Sequence, residues 1–139
     1  MAARDRALAE AIAQAVHDVD AGLVLFGLAG SEMLAAADRL GVPCAAEVFG
    51  DRTYQDDGSL TPRRQAGAMI EDVEVSAAQV TRMALQGMVR STSGKDVPVK
   101  ADTLCVHGDQ PGALAFVRRI RAELAAAGIQ VRAPARAER

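Results

Sequence analysis

Aromatic side chains are scarce in this chain: three Phe, one Tyr and no Trp among 139 residues, 3% in all, against 50% hydrophobic residues. A core must therefore be built mainly from Ala, Val, Leu, Ile and Met, which favours helices packed on strands. Cysteine is equally sparse. Cys44 and Cys105 lie far apart, each in an apolar, strand-like segment, which argues for reduced core thiols and against a disulfide framework or a Cys-x-x-Cys site. No block of like charge is present: 16 basic and 18 acidic residues leave a net charge of −2, so the basic stripe that a nucleic-acid backbone needs is missing. The longest apolar run, Leu23 to Ala29 with its flanks, falls far short of the roughly 20 residues of a membrane span. The N-terminus lacks a signal-peptide pattern, so the expectation is a cytoplasmic protein with neither nucleic acid nor membrane as a partner. The phosphate-loop pattern G-x-x-x-x-G-K-[ST] is absent too, as is any internal repeat of useful length.

What is present reads as one α/β domain over residues 1–132, followed by a flexible tail at 133–139. Leu8, Ile12, Ala15, Val16 and Val19 follow helical spacing from Asp5 onward. After Gly22, the continuously apolar Leu23–Ala29 predicts a strand buried on both faces, the kind found in parallel sheets. Gly30-Ser31 can cap a helix lined by Met33, Leu34, Ala37 and Leu40, which Gly41 and Pro43 stop, and Cys44–Phe49 follows as a second strand. This is a βαβ unit. Gln55–Ala68 reads as a surface loop, with Asp56 and Asp57 as turn formers. Glu71-Asp72 open a helix with Val73, Ala77, Val80 and Ala84 on one stripe, ended by Gly87. Met88–Lys100 reads as a peripheral hairpin tipped by Ser93-Gly94-Lys95-Asp96. A last helix presents Leu114, Val117, Ile120 and Leu124 inward and Arg118, Arg119, Arg121 and Glu123 to solvent, before a short strand at Ile129–Val131.

The chain is organised around Thr103-Leu104-Cys105-Val106-His107-Gly108-Asp109-Gln110-Pro111-Gly112-Ala113. A short run of β-formers delivers His107 and Asp109 at its end, and a Gly and Pro turn then opens the last helix. Polar groups at the carboxyl end of a buried strand are where α/β proteins place their chemistry. Structural roles compete with that reading: Asp109 as a helix cap, and His107 as a satisfied half-buried histidine. A second cluster, Glu47, Asp51 and Arg52 with Tyr54 just beyond, ends the 44–49 strand. Alternation places Glu47 and Phe49 on one face, so Glu47 enters an apolar layer and needs a partner such as Arg52. Either a functional carboxylate or a structural ion pair meets that need. Arg63 and Arg64 match the geometry of a carboxylate or phosphate, or form a solvated pair.

Taken in order, Glu47-Val48-Phe49-Gly50-Asp51-Arg52-Thr53-Tyr54, Asp57-Gly58-Ser59-Leu60-Thr61-Pro62-Arg63, Gly67-Ala68-Met69-Ile70 and Cys105-Val106-His107-Gly108-Asp109 resemble the 5-oxoprolinase A-subunit family, also called LamB/YcsF. The resemblance covers nearly all of this chain but only about the C-terminal half of that family. It implies a partial (β/α) barrel of the glycoside hydrolase/deacetylase type, with parallel strands and flanking helices. It also implies an activity: ATP-dependent ring opening of 5-oxoproline to L-glutamate, together with partner subunits B and C and with ATP as co-substrate of the complex. The family's N-terminal motifs, an Asn/Asp/Glu-bearing first strand, further His-containing loops and a Lys-Pro-His-Gly segment, do not occur here. Gln110 stands where a threonine is common, and Ala66 where a proline is frequent.

Within that resemblance, His107 and Asp109 orient or deprotonate the attacking water, a role for a group titrating near neutrality. Glu47 and Asp51 are further acid/base candidates. Arg52 and Arg63 bind the substrate carboxylate or a phosphate, Arg63 being preferred because it lies in the matching motif and Arg64 does not. Imidazole and carboxylate are also competent metal ligands, but with only His17 and His107 in the chain a complete metal site is not expected. A part-barrel leaves strand edges unpaired, which predicts pairing with a separate N-terminal half or a homo-oligomer. The alternative function is a catalytically inactive truncated fragment or interaction module of the same fold. Fold analogy alone suggests a metal-dependent deacetylase.

Overall fold

The computed structural model describes residues 1–109 and 112–134, so Gln110, Pro111 and residues 135–139 of the expected tail lie outside the described residues. The chain forms two compact units, one around Met1–Glu47 and one over Val48–Arg132.

In the first unit, α1 (Arg6–Val19) starts where the Asp5 carboxylate accepts the Leu8 N–H at 3.0 Å. Its Ala9 and Ala13 are buried together with Ala36 of α2 (Glu32–Leu40), and Leu25, Met33 and Leu40 close around them. Small side chains at this crossing let the helices approach closely. At the surface, Arg39 of α2 donates to Glu10 of α1 at 3.0 Å. In sequence between the helices lies β1 (Leu25–Leu28), which pairs in parallel with β2 (Cys44–Phe49) from Leu25 opposite Cys44 to Leu28 opposite Glu47. This is the expected α/β arrangement of parallel strands flanked by helices.

Three expectations change, the last of them reaching beyond this unit to Cys105. β1 is not buried on both faces: Gly27 packs under Met33 and Leu34 of α2, while Phe26 on the other face is 44% exposed. Ser31 stands at the N-cap of α2, but its hydroxyl makes no cap bond and has no hydrogen-bond partner among the described residues. The cysteines form no disulfide, yet both are half-buried, and Cys44 Sγ donates to Asp38 at 3.5 Å.

In the second unit, α3 (Val73–Gln86) begins with the Asp72 carboxylate accepting from Glu74 N and Val75 N. It ends at Gly87, whose left-handed φ of 64° closes the last turn. The buried stripe is Ser76, Ala77, Val80 and Met83, turned slightly from the expected Val73–Ala84 stripe, and α4 (Ala113–Ala126) packs against it. On α4 the buried residues are Phe116, Ile120 and Leu124; Leu114 and Val117, expected inside, are exposed. Arg119 is likewise not a solvated side chain, because its guanidinium grips both Glu74 oxygens and Glu123, tying α4 to α3. These bonds hold it well above the ordinary arginine range. Ile129–Val131 forms no strand: the Ile129 N–H instead closes the end of α4 on Leu124 O at 2.8 Å.

The hairpin joins β3 (Met88–Arg90) and β4 (Asp96–Pro98), antiparallel with Val89 opposite Val97, and buries both valines. β5 (Thr103–Cys105) lies beside β2, and just past the end of β2 the Gly50 N–H donates to Cys105 O at 3.0 Å. The expected Gln55–Ala68 loop is exposed over 62–67 but buries Thr61 and Ala68. Just before it Asp51, Arg52 and Tyr54 are buried, and bridges Arg52–Met69 and Tyr54–Leu60 fold the segment back on itself.

Candidate functional site

The carboxyl ends of two strands meet in the second unit. The residues following β2 bring Asp51, and those following β5 bring His107. Gly50 makes this possible. A Cβ there would sit 3.0 Å from Val80, 3.3 Å from Ile120 and 3.4 Å from Leu104, so only a glycine lets the main chain lie this close to α3 and α4 without a shift. Its carbonyl accepts the buried Ser76 hydroxyl at 2.7 Å, which anchors the bend where the strand gives way to Asp51.

Asp51 Oδ2 then accepts two bonds from one residue: His107 N–H at 3.0 Å and His107 Nδ1 at 2.7 Å. The carboxylate is almost wholly enclosed, with 2% of its side chain exposed, whereas the imidazole keeps 20%. The ring also lies against Phe49, with centroids 5.7 Å apart and planes 23° from parallel. Phe49 is in turn held from behind. Its N–H donates to the Tyr54 hydroxyl at 2.7 Å, and Gln79 of α3 donates to its carbonyl.

The outward nitrogen, His107 Nε2, is hydrogen-bonded to Arg63 Nη2. A guanidinium can only donate, so Nε2 accepts and Nδ1 carries the proton it gives to Asp51. The result is a chain of three groups, carboxylate, neutral imidazole and guanidinium, running from the interior to the surface. This is the carboxylate–histidine arrangement that orients an imidazole for proton transfer.

The two candidate arginines part company. Arg63 is exposed. Arg52 is buried at 5% exposure and donates to two main-chain carbonyls, Thr61 O at 2.5 Å and Ala68 O at 3.3 Å. Burial first, and the nearby Arg63 charge second, push Arg52 below its ordinary range. Its guanidinium thus clamps the segment that carries Arg63. Thr53 reinforces this clamp, its hydroxyl bonded to Thr61 Oγ1 and Gly67 O at 2.8 Å each.

Asp109 is exposed beyond His107, with no hydrogen bond or ion pair among the described residues, and it does not cap α4, whose N-cap is Gly112. Glu47 belongs to the first unit, where it is half-buried and finds no ion-pair partner among the described residues. The Arg52 guanidinium, expected as that partner, goes instead to Thr61 and Ala68. Among the described residues no group of three His, Cys, Asp or Glu is placed to hold a metal ion, and His17 sits on α1 beside Asp18. Sequence reasoning missed Phe49 as the ring under His107, and it missed Tyr54, Thr61, Ser76 and Gln79 as the supports. The signal available was strand alternation, which sets Phe49 and Asp51 two residues apart on one side of the chain.

The sequence that builds this site has known relatives. The family model described as LamB/YcsF family matches residues 1–139. The second 5-oxoprolinase A-subunit of Bordetella bronchiseptica is 56% identical over 132 residues, which is 95% of this chain and 52% of that protein. The 5-oxoprolinase A-subunit of Bacillus subtilis is 54% identical over 133 residues, 96% of this chain and 52% of its own length. A crystal structure of a lactam utilization protein from Thermus thermophilus superposes with a TM-score of 0.86 at 41% identity, covering 94% of this chain and 52% of that one. The chain therefore spans about half the length of the curated relatives it matches.

Proposed function

Because the chain belongs to the LamB/YcsF family, we propose that it acts as the A-subunit of a 5-oxoprolinase. In that role it serves the ATP-dependent opening of 5-oxoproline to L-glutamate, in a complex with the other subunits that the name of its relatives implies. The observation that carries this reading is the Asp51–His107–Arg63 chain in a sequence half identical to proteins of that name.

The substrate is an unstrained lactam bearing one carboxylate. Its hydrolysis needs a way to activate the carbonyl, a base for the water and a cation for the carboxylate. ATP supplies the activation by phosphorylating the lactam oxygen with release of ADP. Water adds to the activated carbon, the C–N bond breaks to free the amine, and a second water releases phosphate from the acyl phosphate left behind. The ATP phosphates are assigned to the partner subunits because the phosphate-loop pattern is missing here. His107 takes the proton of the attacking water on Nε2, Asp51 holds the imidazole in the tautomer that leaves Nε2 as the acceptor, and Arg63 receives the carboxylate. Arg52 is a positioning residue that fixes the Arg63 segment. Asp109, exposed past His107, is the candidate for proton delivery to the leaving amine.

The test is 5-oxoproline-dependent phosphate release from ATP by this chain mixed with its partner subunits. A general base contributes about 10²–10⁴-fold, so Asp51→Asn should lower kcat by roughly that factor while the variant stays folded. Asp109→Asn, run alongside, separates the acid from the base. No release above that of the partners alone, from chain shown to be folded, refutes the catalytic reading and supports the interaction module.

A further inference from the structure

Arg63 carries a full positive charge yet makes no ion pair among the described residues; its hydrogen bond goes to a neutral ring nitrogen. A second guanidinium, Arg52, lies close enough for the two charges to repel. Of the charged groups here, Arg52 and Arg63 are positive and Asp51 and the exposed Asp109 negative, but Asp109 makes no ion pair with either guanidinium among the described residues. The Asp51 oxygen that faces the site is already engaged by both donors of His107. An exposed cation in this setting is a receptor for an anion. At the same time it covers the one lone pair that a base needs, because an Nε2 accepting from Arg63 cannot accept from water.

We propose that Arg63 is both the carboxylate receptor and the cover of the base, so that an anionic substrate uncovers His107 Nε2 by drawing the guanidinium away from it. The inference rests on the function proposed above and adds to it the order of events and the class of compound that triggers them. The energetics favour the exchange. A guanidinium bound to a carboxylate gains two charge-assisted bonds in a planar fork, whereas its bond to a neutral imidazole is single and charge-to-neutral. The Arg63 main chain stays in place because the Arg52 clamp fixes the segment around Thr61, so the exchange needs only side-chain rotation of an exposed residue. A lactam of the same ring size without a carboxylate gives Arg63 nothing better than His107 and leaves the base covered. Discrimination between the two compounds then appears in kcat as well as in KM.

The test uses the whole chain labelled with ¹⁵N, and its other histidine, His17, which is exposed on α1, as the internal reference. Through-hydrogen-bond coupling between Arg63 and His107 Nε2 is followed as 5-oxoproline, or its neutral carboxamide, is added to the highest soluble concentration. The expected result is coupling in the free chain, lost with 5-oxoproline and kept with the carboxamide. Arg63→Ala should lack the coupling from the start. In that variant, acylation of His107 by diethyl pyrocarbonate should speed up several-fold relative to His17. Coupling that persists with 5-oxoproline, coupling lost equally with both compounds, or acylation unchanged in Arg63→Ala overturns the proposal. The proposed function fails separately: contact broken by 5-oxoproline but no turnover with the partner subunits would refute that function alone, while turnover with the contact intact would refute only the uncovering.

Discussion

Replacing Tyr54 by Phe tests the support beneath the site, because it removes one oxygen and nothing else. Tyr54 is fully buried at 0% exposure, and its hydroxyl accepts the N–H of Phe49 at 2.7 Å. The ring remains in place in Tyr54→Phe, so the cavity created is small, but the Phe49 N–H loses the acceptor that the buried hydroxyl provides. An unsatisfied buried donor costs about 1–3 kcal/mol. For a chain of this size, that converts to a fall in Tm of roughly 3–10 °C. The assay is thermal unfolding by circular dichroism, paired with urea unfolding so that an unchanged slope excludes a shift in the denatured state. The same variant should loosen Phe49 under the imidazole and broaden the His107 ring resonances while leaving those of His17 sharp. A Tm within about 1 °C of the parent at the same urea slope would refute the reasoning, since the N–H would then have found another acceptor at no cost.

Two further outcomes follow from the same packing. Gly50→Ala drives a methyl to 3.0 Å from Val80. Overpacking of this kind costs about 1–3 kcal/mol, to be read from urea midpoints, and an unchanged midpoint would mean that Val80 and Ile120 yield freely. At the hairpin, the Ser91 and Ser93 hydroxyls bonded to Asp56 hold its carboxyl below the ordinary value of 3.8. A lowered acid stabilises the fold above its unfolded value and loses that contribution as pH falls through the folded one. Amide exchange at Ser91 and Lys95 should therefore accelerate, beyond the intrinsic pH trend, only below about pH 4, and Asp56→Asn should abolish that step.

What could be read from the sequence was whatever depends on neighbours along the chain. Asp5 and Asp72 cap their helices, Gly41 and Gly87 end theirs, and Cys44–Phe49 is a strand, because capping and strand formation are settled within a few residues. The His107 stretch stood out for the same reason. The partner of His107 was not legible: Asp51 is 56 positions away, and the two meet only because β5 lies beside β2, an adjacency that no local pattern encodes. Arg52 reads as the partner of Glu47 or as an anion binder until the carbonyls of Thr61 and Ala68 are seen to receive it. On α4 the periodicity was right but its phase was wrong, since Leu114 and Val117 fit a helical stripe as well as Phe116 does. Only the packing of α3 selects Phe116, Ile120 and Leu124.

One oxygen of Asp51 takes both the main-chain and the ring donor of His107. The imidazole is thereby held about its own torsions by a single acceptor, and the loss of rotamer freedom, of order 1 kcal/mol for a side chain, falls on folding instead of on the binding of any ligand. The ring is aimed before anything arrives, and what can still rotate at this place is the exposed guanidinium at its outer edge.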